Sequence, residues 1–239
     1  MARPTLCALA RGRATDTQRQ RQAAGQRGGS LVSEPRLIHL IRHGETNWNR
    51  ERRAQGQQES VLTETGRTQA QSLAATLTDL DIHEVYCSSS VRTRETASIA
   101  FAGRTLPTVY CDLLREIRMG PWEGRLYDEL RQDYPEQYHA FWNKPDDFLL
   151  EGAETFAQLQ QRAISRLSRI LAESRSANIA IVSHGLLIKT ILSFVEQRPL
   201  ARVWEPPAMH NCALSTIEVH EDGNQRITLY ANQPYPLIT

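Results

Sequence analysis

Apolar residues fall into short blocks between residues 37 and about 235, and polar or turn-forming segments separate these blocks. Several blocks are mostly apolar runs of five or six residues, which is typical of strands buried on both faces of a sheet. The chain ends in two alternating runs around a polar turn, the pattern of a β-hairpin. The predicted strands lie at 37–41, 84–88, 106–114, 178–183, 214–220 and 226–232.

Between these runs, apolar residues recur every three or four positions, which predicts amphipathic helices. One helix follows Thr63, a residue type that caps helices, and its apolar residues are Ala70, Leu73, Ala74 and Leu77. Others are expected over 93–101, 156–170 and 186–195. Strands that alternate with helices predict an α/β fold: a three-layer sandwich with a mostly parallel central sheet and helices on both faces. The terminal hairpin would add an antiparallel edge.

One segment, about 122–150, breaks the alternation because it is aromatic, charged and interrupted by prolines. We expect a small inserted helical lid here, with a helix near 127–142. Trp122, Tyr138 and Trp142 are interpreted as packing residues of this insertion.

Charge is distributed unevenly along the 239 residues, although the net formal charge is only +1. Residues 1–36 contain seven arginines, Asp16 and Glu34, and therefore carry +5, which leaves −4 for the rest. The net negative charge of residues 37–239 argues against nucleic-acid binding. We expect residues 1–36 to be a disordered extension, with an upstream start codon or an organelle-type leader as alternatives, and residues 37–236 to form one domain.

The sequence lacks a run of about 18 apolar residues, so we expect no membrane partner. Its four cysteines, Cys7, Cys87, Cys111 and Cys212, are widely spaced and form no CxxC pair. That spacing fits reduced thiols in a cytoplasmic protein better than a disulfide framework or a zinc site.

Two of the buried runs end in the same way, in Arg42-His43-Gly44 and in Ser183-His184-Gly185. In open α/β sheets, ligands bind beyond the carboxyl ends of the strands, so His43 and His184 are expected to face one site. The run at 84–88 leads into a helix that begins near Arg92 and Arg94, and helix N-termini favour anions. Arg94 can equally be a surface residue, and His39, within its strand, a core residue.

Histidines and arginines at one place suit a phosphoryl group. Arginine can bind phosphate oxygens in a bidentate manner, and imidazole can act as a covalent nucleophile. Glu116, which follows the run at 106–114, is a candidate proton donor for the leaving oxygen. A metal site is disfavoured because Arg42 beside His43 would repel a cation.

Six motifs occur in the order that is found in the histidine phosphatase superfamily, and together they make residues 37–235 resemble the phosphoglycerate mutase-like fold. They are LIRHGETNWN (40–49), LTETGRTQA (62–70), YCSSSVRTRETA (86–97), LREIRMGPWEG (114–124), GAET (152–155) and IVSHG (181–185).

The resemblance implies a role for each matching residue. His43 becomes the phosphorylated nucleophile and Glu116 the proton donor, while Arg42, Arg92 and His184 form the phosphate pocket. Asn49, Gln55 and Gly56 align with substrate-contacting positions, and the family uses neither a metal nor an organic cofactor for this chemistry. The chain departs from the family pattern at Glu59 and Val61, which replace aspartate and proline, and at Glu154, which is shifted in GAET.

The expected function is hydrolysis of a phosphomonoester on a small phosphorylated metabolite through a phosphohistidine, with α-ribazole phosphatase as a more specific form. Two alternatives remain open. The first is a cofactor-dependent phosphoglycerate mutase, which the short insertion and the short C-terminal tail disfavour. The second is a non-catalytic protein that binds a phosphorylated ligand. An exposed edge strand of the terminal hairpin would permit a homodimer.

Overall fold

The computed structural model describes residues 34–236, so the extension expected over 1–36 lies outside these residues except for its last three. The strands are β1 (Arg36–Arg42), β2 (Glu84–Ser88), β3 (Thr108–Cys111), β4 (Asn178–Ser183), β5 (Leu214–Val219), β6 (Gln225–Tyr230) and β7 (Gln233–Pro234). The helices are α1 (Asn47–Arg50), α2 (Glu64–Thr78), α3 (Val91–Ala100), α4 (Tyr127–Asp133), α5 (Pro135–Asn143), α6 (Phe156–Glu173) and α7 (Gly185–Val195).

All seven strands form one sheet in the order β3-β2-β4-β1-β5-β6-β7. The first four in this order run parallel, and β5, β6 and β7 pair antiparallel, which confirms the mostly parallel sheet with a terminal hairpin. The hairpin lies beside β1, and the two-residue strand β7 extends the sheet beyond it. Because β1 and β4 are neighbours, their carboxyl ends lie side by side.

Helices cover both faces of the sheet, and alternate strand residues pack on each layer. Ile38 and Leu40 of β1 belong to the same buried cluster as the apolar stripes of α6 and α7. Ile41 instead packs with the buried residues of α2 and α3. In β4, Ile179 belongs to the cluster that contains Ile38, and Val182 belongs to the cluster that contains Ile41. Burial on both faces explains why these strands are continuous apolar runs in the sequence.

Threonine side chains begin the two long helices on either side of the sheet. Thr63 accepts a hydrogen bond from the Gly66 amide at 3.0 Å, which confirms the predicted cap of α2. Thr155 does the same for α6 through the Gln158 amide at 3.2 Å. Each cap satisfies one of the amides that a helix start leaves unpaired.

The single helix expected near 127–142 is two helices, α4 and α5, that meet at Tyr134. Pro135 is the reason, because a residue that precedes proline is disfavoured in the helical conformation, and proline suits the first position of a new helix. The aromatic side chains of this segment reach the main core: Trp122, Phe141 and Phe148 are buried in the cluster that contains Ile38.

The cysteines within the described range, Cys87, Cys111 and Cys212, are all free thiols. Burial raises the pKa of Cys87 and of Cys212 to about 12, so both stay protonated at neutral pH. None of the helices between residues 34 and 236 combines the length and the apolar character that crossing a bilayer requires.

Candidate active site

The ends of β1 and β4 bring the two predicted histidines together. Arg42 pairs with Ser183 in the parallel register, and the His43 amide donates to the Ser183 carbonyl oxygen at 3.1 Å. One residue further, the rings of His43 and His184 lie 5.3 Å apart and inclined by 63°. Both rings are buried. The prediction that two strands deliver two histidines to one place is confirmed geometrically.

The hydrogen bonds of His43 leave one ring nitrogen free for chemistry. Its Nδ1 lies 2.8 Å from the Gly44 carbonyl oxygen, and because a carbonyl only accepts, Nδ1 carries the proton. In the neutral ring, Nε2 then has the free lone pair. Burial, followed by the charges of Arg92 and Arg42, lowers the pKa of His43 well below its usual value, so the ring is neutral at pH 7. A neutral imidazole with a fixed tautomer is a competent nucleophile.

His184 lies fully buried behind His43, where it contacts Ser88 at the end of β2. Its Nε2 is 2.8 Å from the Ser88 hydroxyl, and its Nδ1 is buried without a hydrogen-bond partner. The pKa of His184 is also lowered well below its usual value, first by burial and next by the charge of Arg92. Two neutral imidazoles therefore stand next to permanently charged guanidinium groups.

Two arginines complete this end of the site, and backbone carbonyls hold both. Arg92, in the first turn of α3, donates through Nη1 to Gln58 O at 2.8 Å and through Nη2 to Gly56 O at 2.7 Å. Arg42 donates to the Met209 carbonyl oxygen. The Nε atoms of both arginines are buried and unpartnered. Burial lowers the pKa of Arg92 to about 10, which still leaves it charged at neutral pH.

Buried donors without partners are costly unless a ligand satisfies them. Here they are the Nε atoms of two charged guanidinium groups beside a histidine pair, and an oxyanion such as phosphate can satisfy them. The glycine after His184 makes room for this arrangement, because a Cβ on Gly185 would lie 3.3 Å from the Arg42 Nε.

The expected substrate-contacting residues Asn49, Gln55 and Gly56 line the same cavity. The Asn49 side chain accepts from the Thr46 amide at 3.1 Å, and Gln55 Oε1 accepts from the Ser60 hydroxyl at 2.8 Å. These contacts fix the loop that follows β1 around the cavity.

Gly56 has a backbone φ of +51°, in the left-handed region that favours glycine. Beneath it lies Glu123, whose Oε1 accepts from the amides of Gln57 and Met119, each at 2.9 Å. Glu123 therefore holds the loop whose carbonyl oxygens orient Arg92. Sequence reasoning did not single out Glu123, and its place within the LREIRMGPWEG motif was the only available signal.

Glu116 lies at the cavity wall, opposite the N-terminus of α7. Its Oε2 accepts from the Leu186 amide at 3.0 Å, and its Oε1 accepts from the amides of Leu187 at 3.1 Å and Ile117 at 2.9 Å. A helix N-terminus attracts a carboxylate, so α7 fixes the Glu116 side chain at the cavity.

Arg162 of α6 holds the backbone on either side of Glu116. It donates to the carbonyl oxygens of Leu113 at 2.9 Å, Arg115 at 2.8 Å and Glu116 at 3.2 Å. It also forms a bidentate pair with Glu154, with two N–O distances of 2.8 Å. The shifted glutamate of GAET is therefore not in the anion pocket but supports the Glu116 segment. Arg162 was missed because it is one of several arginines on an amphipathic helix.

The other departure from the family pattern, Glu59, also lies outside the anion pocket. Its carboxylate accepts from the Val91 amide at 2.8 Å, at the start of α3, and pairs with Arg115 at 2.7 Å. Val61 is exposed, with 53 % of its surface accessible. Neither replacement disturbs the groups that hold Arg92.

The cavity has a volume of about 480 Å³ and extends from His43 to an aromatic wall. Tyr138 and Trp142, interpreted from the sequence as packing residues of the insertion, line this cavity, whereas Trp122 is buried behind it. Tyr138 and Trp142 reach the cavity because α5 packs on the core with one side and presents the other side to the cavity. Within residues 34–236 there is no group of three or more His, Cys, Asp or Glu placed to hold a metal ion.

Comparison with known proteins gives consistent matches over this part of the chain. Residues 38–233 match the model of the histidine phosphatase superfamily (branch 1). The adenosylcobalamin/alpha-ribazole phosphatase of Salmonella typhimurium is 32% identical over 187 residues, which are 77% of this chain and 91% of that protein. A probable phosphoglycerate mutase of Erwinia tasmaniensis is 32% identical over 76% of this chain and 84% of its own length.

Solved structures show the same similarity. Bacillus stearothermophilus YhfR superimposes with a TM-score of 0.80 at 37% identity, covering 82% of this chain and 96% of that one. The alpha-ribazole phosphatase from Shigella flexneri gives a TM-score of 0.74 at 28% identity, with coverage of 82% and 96%. The fold is therefore shared with proteins of this group.

Proposed function

The chain belongs to branch 1 of the histidine phosphatase superfamily, and from this we propose that it is a phosphomonoester hydrolase that acts on a small phosphorylated metabolite through a phosphohistidine intermediate. One observation carries the proposal: a neutral, buried His43 whose Nδ1 donates to the Gly44 carbonyl, next to the charged groups of Arg42 and Arg92. That arrangement presents the Nε2 lone pair to an anion that the arginines attract.

In the first step, the substrate phosphoryl group binds against Arg42 and Arg92, while His184, predicted for the same pocket, lies buried behind His43 and does not line the cavity. His43 Nε2 attacks phosphorus, the bond from phosphorus to the ester oxygen breaks, and the electron pair leaves with that oxygen. Glu116 gives a proton to the departing alkoxide, which is released as an alcohol. The arginines stabilise the charge on the phosphoryl oxygens as it moves between the two partners.

In the second step, a water molecule attacks the phosphohistidine. The Glu116 carboxylate, now without its proton, accepts one from this water, the N–P bond breaks, and inorganic phosphate leaves. His43 and Glu116 return to their starting states, so atoms and protons balance over the cycle. The amides of Leu186 and Leu187 hold the Glu116 carboxylate at the cavity wall, in the form that accepts the proton in this second step.

Hydrolysis of 4-nitrophenyl phosphate tests the nucleophile. We expect phosphate release by the native chain and a loss of at least about 10³-fold in kcat for His43→Ala. His39→Asn is the matched control, because His39 is a buried histidine of the same strand that does not line the cavity. Activity that survives His43→Ala would overturn the mechanism, and native protein denatured during turnover at alkaline pH, where an N–P bond is stable, should carry phosphate on His43.

Two leaving groups test the proton donor. Glu116→Gln should lower kcat/KM for benzyl phosphate by about 10²-fold or more, because a poor alkoxide leaving group needs a proton. The same variant should have a much smaller effect on 2,4-dinitrophenyl phosphate, whose leaving group needs none. Equal losses on both substrates would show that Glu116 does not act as the acid.

A mutase is the second candidate, since one relative is described as a probable phosphoglycerate mutase. Interconversion of 2- and 3-phosphoglycerate, measured with and without a bisphosphoglycerate primer, separates this activity from hydrolysis. For the hydrolase, α-ribazole phosphate belongs in the first substrate screen because two of the similar proteins are named for it. Phosphoserine and sugar phosphates complete that screen.

A further inference from the structure

The part of the cavity that lies beyond the phosphoryl end has a wall of aromatic rings. Tyr127 and Trp142 pack with ring centroids 5.6 Å apart, and Trp142 and Trp204 with centroids 4.7 Å apart. All three residues line the cavity, as does Trp48. Aromatic faces of this kind favour a planar, unsaturated group over a flexible polar one.

Arg52 lies next to this wall, and its backbone is fixed there. Its amide donates to the Asn49 carbonyl at 3.1 Å, and its carbonyl accepts from the Tyr127 amide at 2.9 Å. Its φ of +59° is left-handed, a conformation that is unfavourable for a non-glycine residue. Trp48 precedes it by one helical turn, and the Trp48 carbonyl accepts from the Arg53 amide at 2.9 Å.

The Arg52 side chain lines the cavity, is exposed, and has no hydrogen-bond or ion-pair partner among residues 34–236. It differs in this from the other cavity cations. Arg53 pairs with Glu51 at 2.6 Å, and Lys189 donates to the carbonyl oxygens of Glu205 at 2.9 Å and Pro207 at 3.0 Å. Arg42 and Arg92 are held by carbonyls at the phosphoryl end, where their charges act on His43.

The charges of the cavity exceed what one phosphate requires. Among residues 34–236, five cations line it, namely Arg42, Arg52, Arg53, Arg92 and Lys189, and the single lining carboxyl group is that of Glu116, which the proposed mechanism requires in its protonated, uncharged form when the substrate binds. The Glu51 partner of Arg53 offsets one of these charges, and a bound phosphate dianion offsets two more. Two positive charges are then left. Arg52 is the lining cation that has no hydrogen-bond or ion-pair partner among these residues.

We propose that the cavity takes phosphomonoesters whose leaving group is a planar ring that carries a second anionic group, and that Arg52 binds this second anion beside the Tyr127–Trp142 wall. This inference rests on the proposed function for the reaction itself, but it concerns recognition of the leaving group. Arginine suits the role because its planar guanidinium can bind a carboxylate in a bidentate manner while one face lies on an aromatic ring. The left-handed backbone fixes where the side chain starts.

Phosphonates test recognition without hydrolysis. Calorimetry at pH 7 would compare phenylphosphonate with 3- and 4-carboxyphenylphosphonate on the full chain. We expect at least one carboxylate isomer to bind about three- to tenfold more tightly than phenylphosphonate. Arg52→Gln should remove this gain while phenylphosphonate affinity stays the same. Arg50→Gln is the matched control, since Arg50 is an exposed arginine that does not line the cavity.

Two results would overturn the inference. One is equal affinity of the native chain for phenylphosphonate and both carboxylate isomers. The other is a loss in Arg52→Gln that is the same for all ligands or is matched by Arg50→Gln. Cyclohexylphosphonate, whose ring is saturated and not planar, tests the preference for a planar ring. If it binds as tightly as phenylphosphonate, that preference is contradicted. The affinities for phosphonates do not depend on turnover. Failure of the proposed function would therefore appear in the hydrolysis assays, whereas failure of this inference would appear in the binding measurements.

Discussion

At the scale of single residues, the cations at the phosphoryl end are oriented by neutral partners. Arg92 donates to the carbonyl oxygens of Gly56 and Gln58, and Arg42 to that of Met209. A carboxylate partner would have fixed these side chains equally well but would have cancelled their charge. Carbonyls fix the geometry and leave the positive charge available to an anion, which is the requirement for binding a phosphoryl group.

Gly56 is the residue at which this orientation depends on backbone conformation. A Cβ at this position would meet the Glu123 carboxylate, and the φ of +51° is itself unfavourable for alanine. We expect Gly56→Ala to lower the free energy of unfolding by about 1–3 kcal/mol. Because the Gly56 carbonyl would move away from Arg92, inhibition by inorganic phosphate should weaken by about tenfold. Urea unfolding and the inhibition constant measure the two effects.

Gly103→Ala separates strain from function. Gly103 also has a positive φ, +79°, but nothing lies within 4 Å of a Cβ there, and it does not line the cavity. Its variant should show the loss of stability without the loss of phosphate affinity. If both variants bind phosphate as the native chain does, the Gly56 carbonyl does not orient Arg92.

The residues proposed to act on phosphate could be selected from the sequence, but the residues that hold them in place could not. His43 and His184 directly follow apolar runs, and a polar side chain at a strand end is visible in the sequence pattern. Arg92, which lies in α3, was preferred only through the family resemblance. Glu123 contacts the backbone of Gln57, which is 66 positions away in the sequence, and Arg162 contacts that of Glu116, which is 46 positions away. No local pattern distinguishes Glu123 and Arg162 from charged residues on the surface.

At the scale of elements, the strands and long helices were predicted well because burial on both faces, or on one stripe, leaves a period in the sequence. The predicted runs at 84–88 and 178–183 coincide with β2 and β4. The run at 106–114 is a strand only over Thr108–Cys111, because Pro107 precedes it and a 3₁₀ turn begins at Asp112. Local breaks of this kind, like that at Pro135, alter boundaries without altering the apolar pattern.

The contact between α6 and the Glu116 segment gives a prediction at this scale. Arg162→Gln removes the charge that pairs with Glu154 and loosens the carbonyls of Arg115 and Glu116. A misplaced acid should lower kcat/KM for benzyl phosphate by about 10- to 100-fold. The loss on 2,4-dinitrophenyl phosphate should stay within about threefold. The ratio of the two losses reports on positioning of the proton donor, which a general loss of stability would not change.

Arg166→Gln is the control for this prediction. Arg166 lies one turn further along α6, is buried where Arg162 is half-buried, and pairs with Glu173 at 3.1 Å without touching the Glu116 segment. Its variant should lose stability but keep the native ratio of activities. Where Arg162→Gln does not fold, Glu154→Gln keeps the side-chain shape and should change the ratio in the same direction. A native ratio in both the Arg162 and Glu154 variants would contradict the positioning role.

At the scale of the whole molecule, three histidines are buried in or directly after the central strands. His39 in β1 has its pKa lowered by burial to about 4, and the pKa values of His43 and His184 are lowered well below their usual value. In the unfolded chain these groups titrate near pH 6.5. Below that pH the unfolded state binds protons that the folded state does not, so stability decreases as the pH falls.

Each such histidine should remove about 1.4 kcal/mol of unfolding free energy per pH unit below pH 6.5, until its folded-state pKa is reached. For His39, whose folded-state pKa is about 4, the loss by pH 5 is about 2 kcal/mol, and the lowered pKa values of His43 and His184 add losses in the same direction. We therefore expect the native chain to unfold near pH 5 in urea concentrations that it withstands at pH 7. Urea titrations between pH 7 and pH 5 measure this loss.

His39→Asn assigns part of this acid sensitivity without touching the cavity. The His39 Nδ1 lies 3.1 Å from the Thr216 hydroxyl on β5, and an asparagine amide can keep a hydrogen bond there. Between pH 6.5 and pH 5 the variant should lose about 2 kcal/mol less than the native chain. If its pH dependence is unchanged, His39 binds protons equally in both states. Acid lability would then follow from the two histidines at the strand ends, whose neutral state the proposed chemistry requires.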